Sequence, residues 1–182
     1  MTKTFLALTI LGVFLVGGSA TAADGTINFT GNIEAATCTI SPGAGATGHG
    51  KTIAVAMDTY ASTAFTGAGQ SLGKKDFAIA LSGAGCVASK TYSMEFSGGN
   101  VDATTGHLNI ATGLGNATGL QLRMLNKTGA VVNLSTQANA PSVITTADGK
   151  GLLEMGVEYY STLAAVTDGS VTSSVEFVLK HN

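Results

Sequence analysis

The chain has 182 residues, a formal net charge of −2, 25 glycines, and only 11% charged residues. The length suits one domain with a targeting segment, and the charge balance argues against a nucleic-acid partner, which needs basic patches to neutralise phosphates. A surface this poor in charge is solvated by Thr, Ser, Asn and Gly, which fits a chain packed against copies of itself and equally an ordinary secreted β-domain.

In chain order, the first element is an export signal. Lys3 supplies a positive start, Phe5 to Val16 is apolar apart from Thr9 and Gly12, and Ala20-Thr21-Ala22 ends a run of small residues. That pattern predicts cleavage after Ala22. A membrane anchor is the alternative, but the apolar run falls short of the roughly 20 residues a spanning helix needs. Export leads to an oxidising compartment. There the pair Cys38 and Cys86 reads as a disulfide rather than as two separate thiols. A loop of that length is worth about 4 kcal/mol in chain entropy.

After the signal the dominant period is two. Ile27, Phe29, Gly31 and Ile33 alternate with polar residues, as do Phe77, Ile79 and Leu81 with alanines, then Tyr92, Met94 and Phe96, Leu120, Leu122 and Met124, and Leu153, Met155, Val157 and Tyr159. The final run, Val171, Ser173, Val175, Phe177, Leu179 and His181, continues the pattern to the C-terminus. Each run predicts a strand with one face on a core. Turn formers separate them at Ser41-Pro42-Gly43, Gly67-Ala68-Gly69, Ser97 to Asn100, Asn126 to Gly129, Asp148-Gly149 and Asp168-Gly169. The Gly/Ala/Thr-rich stretches 43–50 and 103–119 read as loops. No amphipathic helix and no internal repeat stands out. The expectation is an all-β sandwich.

Motifs for chemistry are weak. Gly45 to Thr52 satisfies the phosphate-loop pattern G-x-x-x-x-G-K-[ST], but Thr52 to Met57, which follows, reads as a strand and not as the required helix. His49, His107 and His181 show no metal-ligand spacing. No G-x-S-x-G elbow supports a nucleophile, and the acidic residues read as solvated charges. Tyr60, Tyr92, Tyr159 and Tyr160 are conceivable ligand contacts, though half-buried core roles suit tyrosine better. The strongest alternating strands sit at the two ends of the mature chain. Pattern alone favours reading both as ordinary strands of one closed sandwich.

Together these residues resemble the pilins of chaperone–usher fimbriae, the type 1-like family. Gly25 to Ile33 is similar to the family's N-terminal extension. Ala35-Ala36-Thr37-Cys38 and Leu81-Ser82-Gly83-Ala84-Gly85-Cys86 look like its two cysteine contexts. Gly119 to Leu122 with Asn126 to Gly129 looks like its strand and turn before a hairpin, and Gly169 followed by the alternating strand looks like its C-terminus. One departure is His181, where the family usually has a penultimate tyrosine.

The resemblance implies a signal peptide over 1–22, a donor-strand extension over 23–36 and a pilin domain over 37–182. It implies an immunoglobulin-like sandwich lacking its last strand, with a hydrophobic groove that a periplasmic chaperone fills until, at an outer-membrane usher, a neighbouring subunit's extension replaces it. On that reading Ile27, Phe29 and Ile33 are inserted pegs and Gly31 allows close backbone approach. Gly169, Val171, Val175, Phe177, Leu179 and His181 belong to the acceptor groove and the chaperone contact. The expected partners are copies of the chain or other pilins, the chaperone, the usher, and host surface ligands. The expected location is a fimbria on the cell surface, reached through the periplasm. No catalysis and no cofactor are expected. The alternative is a fimbrial adhesin or lectin-like secreted binding domain, although a tip adhesin normally carries an extra lectin domain and lacks the donor strand.

Overall fold

Alternating apolar and polar residues build ten strands between residues 38 and 182, the part of the chain that the computed structural model describes. They are β1 (Thr39–Pro42), β2 (Thr47–His49), β3 (Thr52–Ala54), β4 (Ser71–Ser82), β5 (Thr91–Ser97), β6 (Leu108–Asn109), β7 (Leu120–Asn126), β8 (Ser142–Ile144), β9 (Gly151–Ser161) and β10 (Glu176–His181). A five-stranded sheet has the order β1-β4-β9-β7-β6, a three-stranded sheet the order β10-β5-β8, and β2 and β3 form a hairpin. Every ladder is antiparallel. Among the described residues the helical content is a single 3-10 turn, Ser62–Ala64, and no helix is long and apolar enough to cross a membrane.

The two larger sheets face each other across one core. Ile79 and Leu81 of β4, Met124 of β7, and Leu153 and Met155 of β9 meet Tyr92, Met94 and Phe96 of β5 in a single hydrophobic cluster. Burying each such side chain stabilises the sandwich by about 1.5–3 kcal/mol. The Cys38–Cys86 disulfide is present. It ties the start of edge strand β1 to the turn that follows its partner β4, so the expected staple closes where the sheet would otherwise fray.

The strands expected at 77–81, 91–96, 120–124 and 153–159 all form, and each runs further. β4 begins at Ser71 because a bulge between Leu72 and Lys75 carries the ladder past polar Lys74-Lys75-Asp76. Gly73 permits that bulge: its φ is +70°, and a Cβ there would run into the Tyr60 ring.

Three expectations need correction. The stretch read as a loop over 43–50 contains β2, so the phosphate-loop pattern is a hairpin, followed by strand β3 with no helix. The stretch 103–119 contains β6, paired at Leu108↔Leu122 and Asn109↔Gln121. The C-terminal strand is shorter than its sequence pattern, starting at Glu176 and not at Val171. Residues 172–174 bond elsewhere. Thr172 O accepts from Ala111 N (2.8 Å), Ser174 O accepts from Asn100 N (3.1 Å), and Ser173 Oγ donates to Asn109 O (2.7 Å).

A candidate strand-accepting groove

β10 is the edge of its sheet. It pairs on one side with β5, with Phe177 opposite Phe96, Leu179 opposite Met94 and His181 opposite Tyr92, and no other described strand pairs with its second side. Strand edges left in this state offer rows of N–H and C=O groups to another chain.

The burial of this stretch repeats with period two. Val171, Ser173, Val175, Phe177, Leu179 and His181 are half-buried and every residue between them is exposed. Ile53, Val55 and Met57 do the same in a second extended stretch. Residues 55–57 take part in no backbone–backbone hydrogen bond among the described residues. Two half-covered apolar edges therefore exist. Between Val55, Met57 and Phe65 on one side and Val166, Gly169 and Val171 on the other lies a groove of about 770 Å³, with Ala117, Leu120, Leu122 and Tyr159 also lining it.

Local chemistry holds both walls in place. On the first wall, Tyr159 Oη donates to Asp58 O (3.0 Å), Lys75 Nζ donates to Asp58 Oδ1 (2.9 Å), and Tyr60 packs edge-on against Tyr159. Burial, then the Asp58 carboxylate and Tyr60, push the Tyr159 phenol above its ordinary value, which keeps it a proton donor. On the second wall, Gly169 has φ +152°, and a Cβ there would collide with the backbone of Asn116 and Ala117. Its neighbour Ser170 forms a parallel bridge with Asn116, with Ala117 N donating to Ser170 O (3.0 Å). Only glycine lets the two backbones approach so closely.

The residues expected in the groove divide into two groups. Gly169 and Val171 line the cavity itself. Val175, Phe177 and Leu179 continue the same face along the open edge and pack onto the core. His181 ends the row with its ring tilted on Tyr92, centroids 5.2 Å apart. Ile27, Phe29, Gly31 and Ile33, the expected donor strand, lie outside the described residues. Sequence reasoning missed the opposite wall. The alternation of Ile53, Val55 and Met57 was the available signal, but nothing in it says which part of the chain lies across from it.

A second cluster lies away from the groove, on residues that sequence reasoning left as surface. On neighbouring strands, Arg123 Nε donates to Glu158 Oε1 (2.8 Å), and Arg123 stacks over the Tyr160 ring at 4.9 Å. Gln121 Nε2 donates to Asn109 Oδ1 (2.9 Å), and Gln121 Oε1 lies 3.1 Å from His107 Nδ1. Burial lowers the His107 pKa against the opposing pull of the Gln121 hydrogen bond. Backbone N–H groups of Thr105 and Thr104 lower that of Asp102. Among the described residues no buried side-chain polar atom lacks a partner, so the cluster is a satisfied network. No three His, Cys, Asp or Glu residues described are placed to hold a metal.

Comparison with known proteins agrees with this architecture. The family described as "Fimbrial protein" matches residues 27–182. The chain is 36% identical over 170 residues to the major fimbrial subunit SMF-1 of Stenotrophomonas maltophilia, covering 90% of this chain and 96% of that one. It is 28% identical to a type-1 fimbrial protein subunit of Serratia marcescens, covering 100% and 99%. Among solved structures, the P pilus rod subunit PapA superposes with a TM-score of 0.57 at 20% identity, over 80% of this chain and 99% of that chain. A chaperone–usher pilus subunit gives 0.57 at 20% identity, over 88% and 96%. The half-covered sandwich, the disulfide and these likenesses agree: the chain belongs to the fimbrial protein family and is a structural subunit of a fimbria, with the fold of chaperone–usher pilus subunits.

Proposed function

We propose that the groove between residues 53–57 and 166–181 receives an extended strand from the next subunit, and that this strand is residues 23–36 of that neighbour. The observation that carries the proposal is the period-two half-burial on both sides of the groove, with the backbone of 55–57 and the second edge of β10 unpaired among the described residues. An inserted strand of alternating apolar residues satisfies both needs at once. Its main chain pairs with the open edge of β10, and its side chains complete the core. Ile27, Phe29 and Ile33 supply the pegs, and Gly31 supplies close backbone approach. Each peg stabilises the fibre by about 1.5–3 kcal/mol.

Before assembly, the same exposed edge is an aggregation hazard. A periplasmic chaperone fills it, and an outer-membrane usher exchanges that strand for the neighbour's. Residues 1–22 direct export and are removed. The reading assigns the subunit no enzymatic role. It supports adhesion by forming the fibre that bears contacts to host surfaces.

The test is the double substitution Phe29→Ala with Ile33→Ala, read on unboiled SDS gels of surface fibres. A multimer ladder that collapses on boiling is expected from the parent and lost in the variant, each truncation costing roughly 3 kcal/mol or more. An unchanged ladder would overturn the peg assignment.

A further inference from the structure

The chain has 5 methionines, of which Met1 falls in the export segment. Met94, Met124 and Met155 are buried in the sandwich core. Met57 differs in three respects. It is half-buried, it lines the groove, and it sits in the stretch 55–57 whose backbone is unpaired among the described residues. The one reachable thioether beyond the export segment thus stands on the wall of the surface that assembly covers.

We propose that Met57 is an oxidation site that gates assembly: a peroxide reaches its sulfur while the groove is open, and the sulfoxide formed hinders strand insertion. The reaction is a two-electron oxygen transfer. The O–O bond of hydrogen peroxide breaks, an S–O bond forms at Sδ, the sulfur is oxidised, and the peroxide leaves as water. A thioether is a soft, adaptable surface for an incoming apolar strand. A sulfoxide is a polar group that must lose its water when the strand arrives. The groove carries hydroxyl donors at Thr59, Tyr60 and Ser62 as well as the apolar Val55, Phe65 and Leu122, and the penalty arises where the apolar side chains of the incoming strand cover the sulfoxide and supply no donor. An inserted strand covers the sulfur, so an assembled fibre resists the oxidant that stops an unassembled subunit. A reductase of the methionine sulfoxide class would restore the gate.

The inference rests on the reading that the groove receives a strand, and the test separates the two. Fibres sheared from cells are divided. One half is dissociated in guanidinium with the disulfide intact and returned to buffer. Both halves are treated with hydrogen peroxide and mapped by mass spectrometry. In the dissociated subunits Met57 should gain oxygen at least about tenfold more than in fibres, with Met94, Met124 and Met155 protected in both. Oxidised subunits should then re-form SDS-resistant multimers about tenfold more slowly, and Met57→Leu subunits should re-form them at the same rate with or without peroxide. In cells, Met57→Gln should lower the yield of surface fibres, and peroxide should lower the parent's yield while leaving that of Met57→Leu at its own untreated level.

Equal oxidation of Met57 in both halves would overturn its coverage by assembly. Unslowed reassembly of oxidised subunits, or a Met57→Gln yield equal to the parent's, would overturn the gate. Absence of SDS-resistant multimers from untreated fibres would instead overturn the strand-exchange reading.

Discussion

β5 and β10 lie side by side in one sheet and carry the same alternation, yet they are finished to different degrees. Tyr92, Met94 and Phe96 of β5 are 1%, 3% and 4% exposed, whereas Phe177, Leu179 and His181 opposite them are only half-buried. The edges differ too. β5 has β10 on one side. On its other side it has β8, then Pro141 O accepting from Met94 N (3.0 Å), then the Gln137 side chain. The Gln137 amide accepts from Phe96 N (2.7 Å) and donates to Phe96 O (2.8 Å), pairing with the main chain as a neighbouring strand would. Among the described residues β10 has nothing equivalent on its second side. Among the described residues, the chain completes one strand with its own groups, and the adjacent one keeps an edge with no paired strand. On the proposed reading, folding and polymerisation are divided between these two neighbouring strands.

The largest expected effect sharpens that division. Phe96→Ala should cost the isolated subunit about 3–5 kcal/mol in denaturant unfolding. Phe177→Ala, on the same rung, should cost the isolated subunit clearly less and show most of its loss in fibre dissociation. Equal costs in the isolated subunit would break the comparison.

Next is the disulfide. Cys38→Ala with Cys86→Ala should lower subunit stability by about 4 kcal/mol. Because neither cysteine lines the groove, it should do so without changing the relative ranking of Phe96 and Phe177 variants. Denaturant titration of the double combinations reads this directly.

A smaller effect concerns the groove wall. Tyr159→Phe removes the hydrogen bond to Asp58 O and should cost about 1 kcal/mol. It should also raise proteolytic cutting near residues 55–60 while leaving β5 untouched, as peptide mapping would show.

The smallest effect should come from pH. The folded-state pKa of His107 lies below its ordinary value through burial, so the unfolded chain binds the proton more readily. Its contribution is present above the ordinary histidine value and lost as pH falls through the lowered folded value. Gln121, Arg123, Asp102, Glu158 and Tyr160 face it. His107→Gln should flatten that decline in a stability–pH profile and leave fibre formation unaffected.

How much of this was legible follows from the same two strands. Period two in Tyr92, Met94, Phe96 and in Phe177, Leu179, His181 is a local signal, and both strands formed. Whether the far side of a strand is covered depends on distant partners, and no local pattern records that. The resemblance carried by Gly169 and the terminal strands supplied the groove, and the structure added its opposite wall at Ile53, Val55 and Met57. β1 was hidden because Ser41-Pro42-Gly43 are turn formers, tolerated here because β1 is an edge strand with Pro42 at its end. β6 and β8 span 2 and 3 residues, too short for any period to show. The bulge at Gly73 breaks the alternation of β4 at the point where the Tyr60 ring packs down on it.

Amide hydrogen exchange tests most directly the proposal that the second edge of β10 is completed by another chain. Exchange would be followed by mass spectrometry in dissociated subunits and in intact fibres. The account predicts that Glu176–His181 and residues 55–57 exchange readily in the subunit and become strongly protected in the fibre, while Thr91–Ser97 is protected in both. Equal protection of Glu176–His181 in the two states would contradict it, because the edge would then already be closed within a single chain.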